Sequence, residues 1–304
     1  MYKDAQFIGS GDRIIGIDSD RDMMYYEVEE SEEIELDNPV PVYGIVDAGS
    51  CHNYTIDIGD GKGVFVSNTG KTMFMVNEGA FASIQGFKVL HLFLGDMKEY
   101  DGFIRYASRY LSVDQNTIAA MPLSDQMELI KKNNFQKYFS NITVASYAAG
   151  ELTIDQMVQE VYRLQEIHDQ HFDLILVDYA DNLQPAADMM YESGGTIYNK
   201  LSHLGFTNKS VILVGSQPKP VYWDSEIIPK AGAAESSKKQ HVIDVMITIG
   251  SPSLTNDGSD SKVATMFLAK VRRGVESVIR VKMDYKFASI KSIPDSEYIS
   301  LKEN

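Results

Sequence analysis

Thr69-Gly70-Lys71-Thr72 places a lysine and a hydroxyl directly after a glycine. This is the end of the G-x-x-x-x-G-K-[ST] phosphate loop, in which backbone N–H groups and the lysine ammonium hold β- and γ-phosphates and the hydroxyl ligates Mg2+. The full pattern wants another glycine at position 65, but the chain has Phe65 there, inside an apolar run (Gly63 to Val66) that reaches almost to the motif. Either the four residues are a coincidence or what precedes Thr69 is foreign to them. The downstream order favours the second. Residues 173–179, DLILVDY, form an apolar strand ending in Asp178, a carboxylate placed to hold Mg2+ through water. A second apolar strand, SVILVGS (210–216), then delivers Gln217, whose amide could sense a γ-phosphate or couple it to neighbouring loops. Residues 267–290 read as a strand, a basic turn and a return strand, with Lys270, Arg272 and Arg273 at the tip. On a rigid hairpin such cations can reach a neighbour's γ-phosphate and stabilise transition-state charge; elsewhere they would be a solvated tip.

A second chemistry overlaps the first at Asn68-Thr69. An asparagine at the end of a strand can attack its own carbonyl with its side-chain amide, breaking the bond to Thr69 and leaving a succinimide. Thr69 Oγ can serve as an acyl acceptor, which is nucleophilic catalysis in the general sense. Asn-Thr pairs are common and nearly always inert. Position singles this one out, because it falls inside a phosphate loop whose first half is absent.

Two textures must position these groups. From residue 13 to 68 the chain runs in short alternating stretches, RIIGID, MMYYEVEE, VPVYGIV, NYTIDI and GVFVSN, separated by Asp, Gly and Asn-Pro punctuation, which predicts a small all-β unit. From residue 69 helical segments alternate with uninterrupted apolar runs: KVLHLFL (88–94), NITVASY (141–147), DLILVDY, SVILVGS, HVIDVMITI (241–249) and ATMFLAKV (264–271). Such runs mark strands covered on both faces, hence an α/β fold with a largely parallel sheet. With 44% apolar and 23% charged residues the composition is that of a globular protein. No run approaches the roughly 18 apolar residues of a membrane span, and the start lacks a signal peptide's layout, so the expectation is a soluble, cytoplasmic protein with no membrane partner. The single cysteine, Cys51, excludes an internal disulfide or a thiolate metal site. A net charge of −15 argues against a broad basic DNA-binding face and leaves that task to a few loops, although much of the acid is a solvated run between residues 18 and 37.

In this order the motifs of residues 69–290 resemble the motor of the DnaB family of replicative helicases, in its phage form. TGKT resembles the end of its Walker A motif, KVLHLFLGDM its second strand with a catalytic carboxylate, DLILVDYADNLQP its Walker B, VILVGSQ its glutamine motif, and ESSKKQHVIDVMITI the segment before its penultimate strand. AKVRRG resembles its Lys/Arg finger, which acts on a neighbouring subunit. The resemblance implies a RecA-like P-loop NTPase core that uses ATP and Mg2+ in a homo-oligomeric ring, a hexamer, moving 5′–3′ on single-stranded DNA. Thr69, Gly70, Lys71 and Thr72 would bind phosphate; Thr72 and Asp178 would hold Mg2+; Gln217 would be the sensor; Lys270 and Arg272 would serve the adjacent site. One departure is Asp96, where the family usually has the Glu that polarises the attacking water. Slower hydrolysis, or a contribution from Glu99, would follow. The DNA-contacting loops would be 180–209 and 217–240, with Lys219, Lys230, Lys238 and Lys239 as candidates for phosphate contact.

The first segment resembles the C-terminal part of an intein, the Hint fold. Tyr43 to Val46 is similar to its YDIV strand, His52-Asn53-Tyr54 to its HNF motif, and GVFVSN to its terminal strand. By this resemblance Asn68 cyclises, His52 assists, Ser67 holds the penultimate place usually taken by His, and Thr69 is the first extein residue. Gly44 replaces the usual Asp. The expected organisation is therefore a small all-β Hint (intein) fragment over 1–68 and a RecA-like motor over 69–304 that lacks its first strand and half its phosphate loop. A separate polypeptide carrying the N-intein and N-extein would supply the rest; a truncated gene is the competing account. The rival functions are a RecA- or KaiC-like ATPase of recombination or regulation, and a non-catalytic assembly protein with an inert Hint-like domain.

Overall fold

The computed structural model describes residues 13–17, 23–27, 54–59, 62–66, 70–184, 193–222, 225–232, 242–250, 261–271 and 276–303, and the chain divides into two compact units, Met1–Asn68 and Thr69–Asn304. In the first unit β1 (Arg13–Ile17), β2 (Met23–Glu27), β3 (Tyr54–Gly59) and β4 (Lys62–Val66) form an antiparallel sheet in the order β2-β1-β4-β3. Asp60-Gly61, between β3 and β4, is a dipeptide that favours a two-residue hairpin turn. β4 is internal: it pairs with β3 through Thr55↔Phe65 and with β1 through Gly16↔Val64. The VPVYGIV stretch lies outside the described residues.

The second unit contains two sheets. β5 (Val89–Leu94), β6 (Ile142–Tyr147), β7 (Leu174–Asp178) and β8 (Val211–Val214) are all parallel, in the order β6-β5-β7-β8. The apolar runs are uninterrupted because helices cover both faces, and the period of two distributes them. Leu90, Leu92 and Leu94 of β5, with Ile175 and Val177 of β7, face α6 (Ile154–His168) and α7 (Ser193–Asn208) through Met157, Val161, Leu164, Leu201 and Leu204. Val89 and Leu176 turn the other way, towards Met75 of α1 (Lys71–Ile84). On that side Val76 and Ala80 of α1 also pack against Tyr106 and Tyr110 of α2 (Glu99–Leu111). Three short helices, α3 (Gln115–Ala120), α4 (Leu123–Lys132) and α5 (Gln136–Phe139), lead back to β6.

The start of α6 follows from a four-residue signal. Thr153 Oγ1 accepts from Gln156 N at 3.3 Å, and Gln156 Oε1 accepts from Thr153 N at 2.8 Å, a reciprocal capping box. Thr153→Ala is expected to lower stability by about 1 kcal/mol in urea unfolding, with no change in the slope of the transition.

From β9 onwards the order changes. β9 (Val245–Gly250), β10 (Ser261–Val271), β11 (Val278–Asp284) and β12 (Ser289–Ser292) form a separate antiparallel sheet, β12-β11-β10-β9, with α8 (Asp295–Glu303) packed on it. The expectation of a largely parallel sheet thus holds for the first four strands and fails for the last four. Their connections are too short to carry the crossover helix that parallel pairing requires. The sequence-predicted hairpin around Lys270 is the β10–β11 pair. α1 reaches this sheet as well, because Met73 joins a core cluster with Ala264, Met266, Val281 and Met283, against which Ile247 and Ile249 also pack. Among the described residues no helix is long and apolar enough to cross a membrane.

Candidate functional site

α1 begins at Lys71 because Gly70 adopts the left-handed conformation, φ 82°, and turns the chain into the helix, where its carbonyl accepts from Phe74 N at 3.1 Å. A Cβ at Gly70 would fall 2.5 Å from Met283 Cε, the end of a flexible side chain that can swing away, so it is the left-handed conformation that favours glycine here. The first-turn N–H groups of an α-helix have no intrahelical acceptor and carry partial positive charge. No acidic residue lies in that turn of α1, and Lys71 adds a full charge beside it. Thr72 is buried directly behind.

Asp178 ends β7, and 6% of its surface is exposed. Lys71 Nζ lies 5.6 Å from the ring centre of Tyr179, the next residue. Gln217 Nε2 donates to Tyr179 Oη at 3.3 Å, while Gln217 N and Ser216 Oγ donate to Asp181 Oδ2 at 3.1 and 2.8 Å. Between them Gly215 lets the end of β8 approach. A Cβ there would meet Met75 Cε at 2.9 Å, Tyr179 Cβ at 3.2 Å and Asp178 Oδ1 at 3.5 Å. Lys71, Asp178 and Gln217 therefore meet around Tyr179 at the C-terminal edge of the parallel sheet.

Behind Asp178 lies His91 of β5, fully buried, with Nε2 3.9 Å from Asp178 Oδ2 and Nδ1 2.9 Å from Tyr106 Oη. Burial, reinforced by the Arg105 guanidinium, lowers the His91 pKa to about 3. Burial raises Tyr106 well above the ordinary phenol range, with Tyr110 and Asp178 adding to the shift. Both groups are neutral at pH 7, so the wall behind Asp178 is an uncharged hydrogen-bonded pair.

Other predicted residues stand apart from this cluster. Asp96 is exposed, two residues past the end of β5 at the same edge as Asp178, and Glu99 opens α2. Lys270 is half-buried on β10, where its Nζ donates to Ile243 O at 2.5 Å. Lys219 is half-buried and Lys230 exposed. His52, Ser67, Asn68, Thr69, Lys238, Lys239, Arg272 and Arg273 lie outside the described residues. Tyr179, Gly215, Asp181 and His91 were not singled out in the sequence; only His91, a polar residue inside an apolar strand, carried a signal.

These groups fit a nucleotide triphosphate and Mg2+. A side-chain-free Gly70 backs an acid-free helix start, Lys71 stands at its mouth, and a buried carboxylate at Asp178 supplies the hard oxygen ligand that Mg2+ prefers. The fit covers one half of a phosphate loop, because residues 62–66 belong to another sheet.

The sequence matches no protein-family model and none of the curated proteins compared with it. Solved structures do share the fold. A solved ATPase domain superposes with a TM-score of 0.61 at 16% identity, over 74% of this chain and 81% of that one. A DnaB-like replicative helicase, described with its interactions with primase, superposes with a TM-score of 0.60 at 16% identity, over 75% of this chain and 55% of that one. At this identity the likeness establishes the fold of a DnaB-like helicase ATPase domain, and the chain spans about half of the second relative's length.

Proposed function

We propose that the second unit is the ATP-hydrolysing motor of a DnaB-type replicative DNA helicase, completed by splicing at Asn68–Thr69. One observation carries the motor reading: Lys71, Asp178 and Gln217, taken from three different elements, converge around Tyr179 at one sheet edge, within a fold that DnaB-like ATPase domains share. Bound ATP supplies the phosphoanhydride whose cleavage drives movement. Lys71 and the first N–H groups of α1, with Thr69 and Gly70, hold its phosphates. Thr72 and Asp178 hold Mg2+. Gln217, bonded to Tyr179, ties that edge to segment 217–232, where Lys219 and Lys230 are candidates for contact with single-stranded DNA. Asp96 polarises the attacking water, with Glu99 as the alternative. Lys270 and Arg272 act on the adjacent subunit's ATP in a hexameric ring.

Splicing is the finer part of the proposal. Its support is the clash of two patterns in the sequence: a strand running to Val66, where a glycine loop should be, followed at once by an Asn-Thr pair. Thr69 Oγ first takes the acyl group of a separate polypeptide that brings the front half of the motor, displacing that polypeptide's own intein segment; Asn68 then cyclises with help from His52, next to Ser67, and frees the Thr69 amine, to which the acyl group shifts from oxygen to nitrogen. Intact-mass spectrometry of this chain, co-expressed with the rest of its source genome, should show residues 69–304 carrying a new N-terminal extension. Finding only the unchanged chain rejects splicing. If the joined product turns over ATP without separating DNA strands, the RecA- or KaiC-like reading replaces the helicase.

In the joined enzyme, Asp96→Asn is expected to lower kcat for ATP by about 100-fold with KM little changed, because the variant keeps the shape and loses the base. Unchanged turnover would transfer the role to Glu99.

A further inference from the structure

His91 stands in the middle of β5 with its ring fully buried, a polar group in an apolar strand. In the parallel pairing of β5 with β7 it lies opposite Leu176, and Phe93 lies opposite Asp178. The period of two therefore sets His91 and Asp178 on one face of the sheet, towards α1 and α2. The neighbours of His91 on that face of β5 are Val89 and Phe93, both buried and apolar. A position that only had to be filled would take a similar residue, because a polar ring withdrawn from water is costly unless its nitrogens find partners. Nδ1 has one in Tyr106 Oη; among the described residues Nε2 has no hydrogen-bond partner. The unpartnered nitrogen is the one that faces Asp178.

A neutral imidazole carries one N–H and one lone pair, and the bond made at one nitrogen decides which atom has which. His91 Nδ1 is the one hydrogen-bond partner of Tyr106 Oη among the described residues. With the proton on Nδ1 the phenol would have to accept, its own proton would lack an acceptor, and the Nε2 lone pair would confront a carboxylate oxygen. With the phenol donating to Nδ1 all three conflicts disappear, and Nε2–H faces Asp178 Oδ2. The ring that carries this hydroxyl is held in place. Tyr106 is buried and stacks on Tyr110 with ring centres 6.4 Å apart. Its Oη fits against α1 because residue 79 is glycine: a Cβ there would overlap Oη and crowd Leu176 Cδ1 at 3.0 Å. Phe93 packs on the imidazole with ring centres 4.1 Å apart.

The separation of Nε2 and Oδ2, 3.9 Å, exceeds a hydrogen bond by about 1 Å. A small turn of the Asp178 side chain closes it. An outer partner of this kind fixes the orientation of a metal-ligating carboxylate, and its loss typically costs roughly 10–100-fold in metal affinity. We propose that His91 is a positioning residue for Asp178: Tyr106 Oη donates to Nδ1, the imidazole proton resides on Nε2, and that N–H holds Asp178 Oδ2 when a divalent cation is bound. The proposal rests on reading Asp178 as the Mg2+ carboxylate. It makes α2, whose Tyr106 sets the tautomer, part of the support of a metal site on β7.

Two readouts on the full 304-residue chain test it. Long-range proton–nitrogen NMR of histidine-labelled protein at pH 7, with the His91 signal identified by its loss in His91→Gln, should show Nε2 protonated and Nδ1 bare. Tyr106→Phe should admit the other tautomer. The second readout is Mn2+ affinity in the presence of ATP, followed by the water proton relaxation that protein-bound Mn2+ enhances. Affinity should fall about tenfold in His91→Leu and recover in His91→Gln, which keeps an N–H donor. Tyr110→Phe, which loses the bond between Tyr110 and Ser83 and leaves His91 untouched, should bind Mn2+ like the parent. A proton on Nδ1, a single unchanged tautomer in Tyr106→Phe, or parental Mn2+ affinity in His91→Leu overturns the proposal. So does an equal loss in His91→Leu, His91→Gln and Tyr110→Phe, the mark of a loosened core. The tautomer is read on the unaltered chain, so it decides even where His91→Leu fails to fold. Asp178→Asn separates the two readings. Unchanged Mn2+ affinity in that variant, or no relaxation enhancement in the parent, rejects Asp178 as the metal carboxylate and the proposal with it; an effect of Asp178→Asn without one of His91→Leu rejects the positioning alone.

Discussion

In the joined enzyme, Lys71→Ala lowers kcat/KM for ATP by roughly 10²–10³-fold, about 2.7–4 kcal/mol of transition-state stabilisation, and leaves the unfolding midpoint nearly unchanged. Both halves of this expectation come from where the side chain sits. Lys71 is the first residue of α1, where the helix dipole and unpaired N–H groups already favour an anion, and its ammonium stands 5.6 Å from the Tyr179 ring beside Asp178. Charge that accumulates on transferring phosphoryl oxygens at that mouth is met by a cation held in place before the reaction. The side chain is half-exposed and belongs to no core cluster, so its loss removes little packing. Steady-state ATP turnover and thermal unfolding of the same preparation check the two parts. A loss of activity that tracks a comparable loss of stability would mean that Lys71 holds the fold, and full activity would remove it from the site.

The legible parts of the site were those whose chemistry demands one residue type at one place in the chain. A lysine and a hydroxyl at a helix start, and an aspartate at the end of an apolar strand, are local patterns, so Lys71, Thr72 and Asp178 stood out before any fold was known. Gly215 and Tyr179 did not, because their roles depend on tertiary approach. Gly215 is needed only because the end of β8 passes within contact of Met75 and Tyr179, and Tyr179 matters only because Lys71 and Gln217 reach it from two other elements. The positions of β5 to β10 were readable from their apolar runs and β11 from the predicted return strand, whereas β12, SIKS, carries no such run. An uninterrupted run says that both faces are covered and says nothing about the direction of the neighbour, so of the antiparallel sheet β9 to β12 only the β10–β11 hairpin was foreseen. The break between β8 and β9 was hidden for the same reason. A strand lacking a partner on one side has the same composition as one that is fully paired.

The other large expected effect concerns acid stability. Lowering the pH from 6.5 to 4 should cost the chain about 3 kcal/mol through His91 alone, measured by urea unfolding without nucleotide or Mg2+. Burial in β5, with the Arg105 guanidinium nearby, holds the folded pKa at about 3, against 6.5 for an ordinary solvated imidazole. The folded state thus binds fewer protons than the unfolded state between these values. The contribution is intact above pH 6.5, is lost as pH falls, and levels off below about 3. Each unit of pH inside that window carries about 1.4 kcal/mol. His91→Gln keeps a polar partner for Tyr106, now bonded to His91 at 2.9 Å, and removes the titration. At pH 7 this variant should be less stable than the parent by about 1–2 kcal/mol, from imperfect packing and a weakened buried hydrogen bond. Its acid limb should be flatter, so the two curves cross between pH 6 and pH 4. Parallel curves over that range would mean that protons reach the imidazole without unfolding the sheet, and that Asp178 stands against a hydrated wall instead of a dry one.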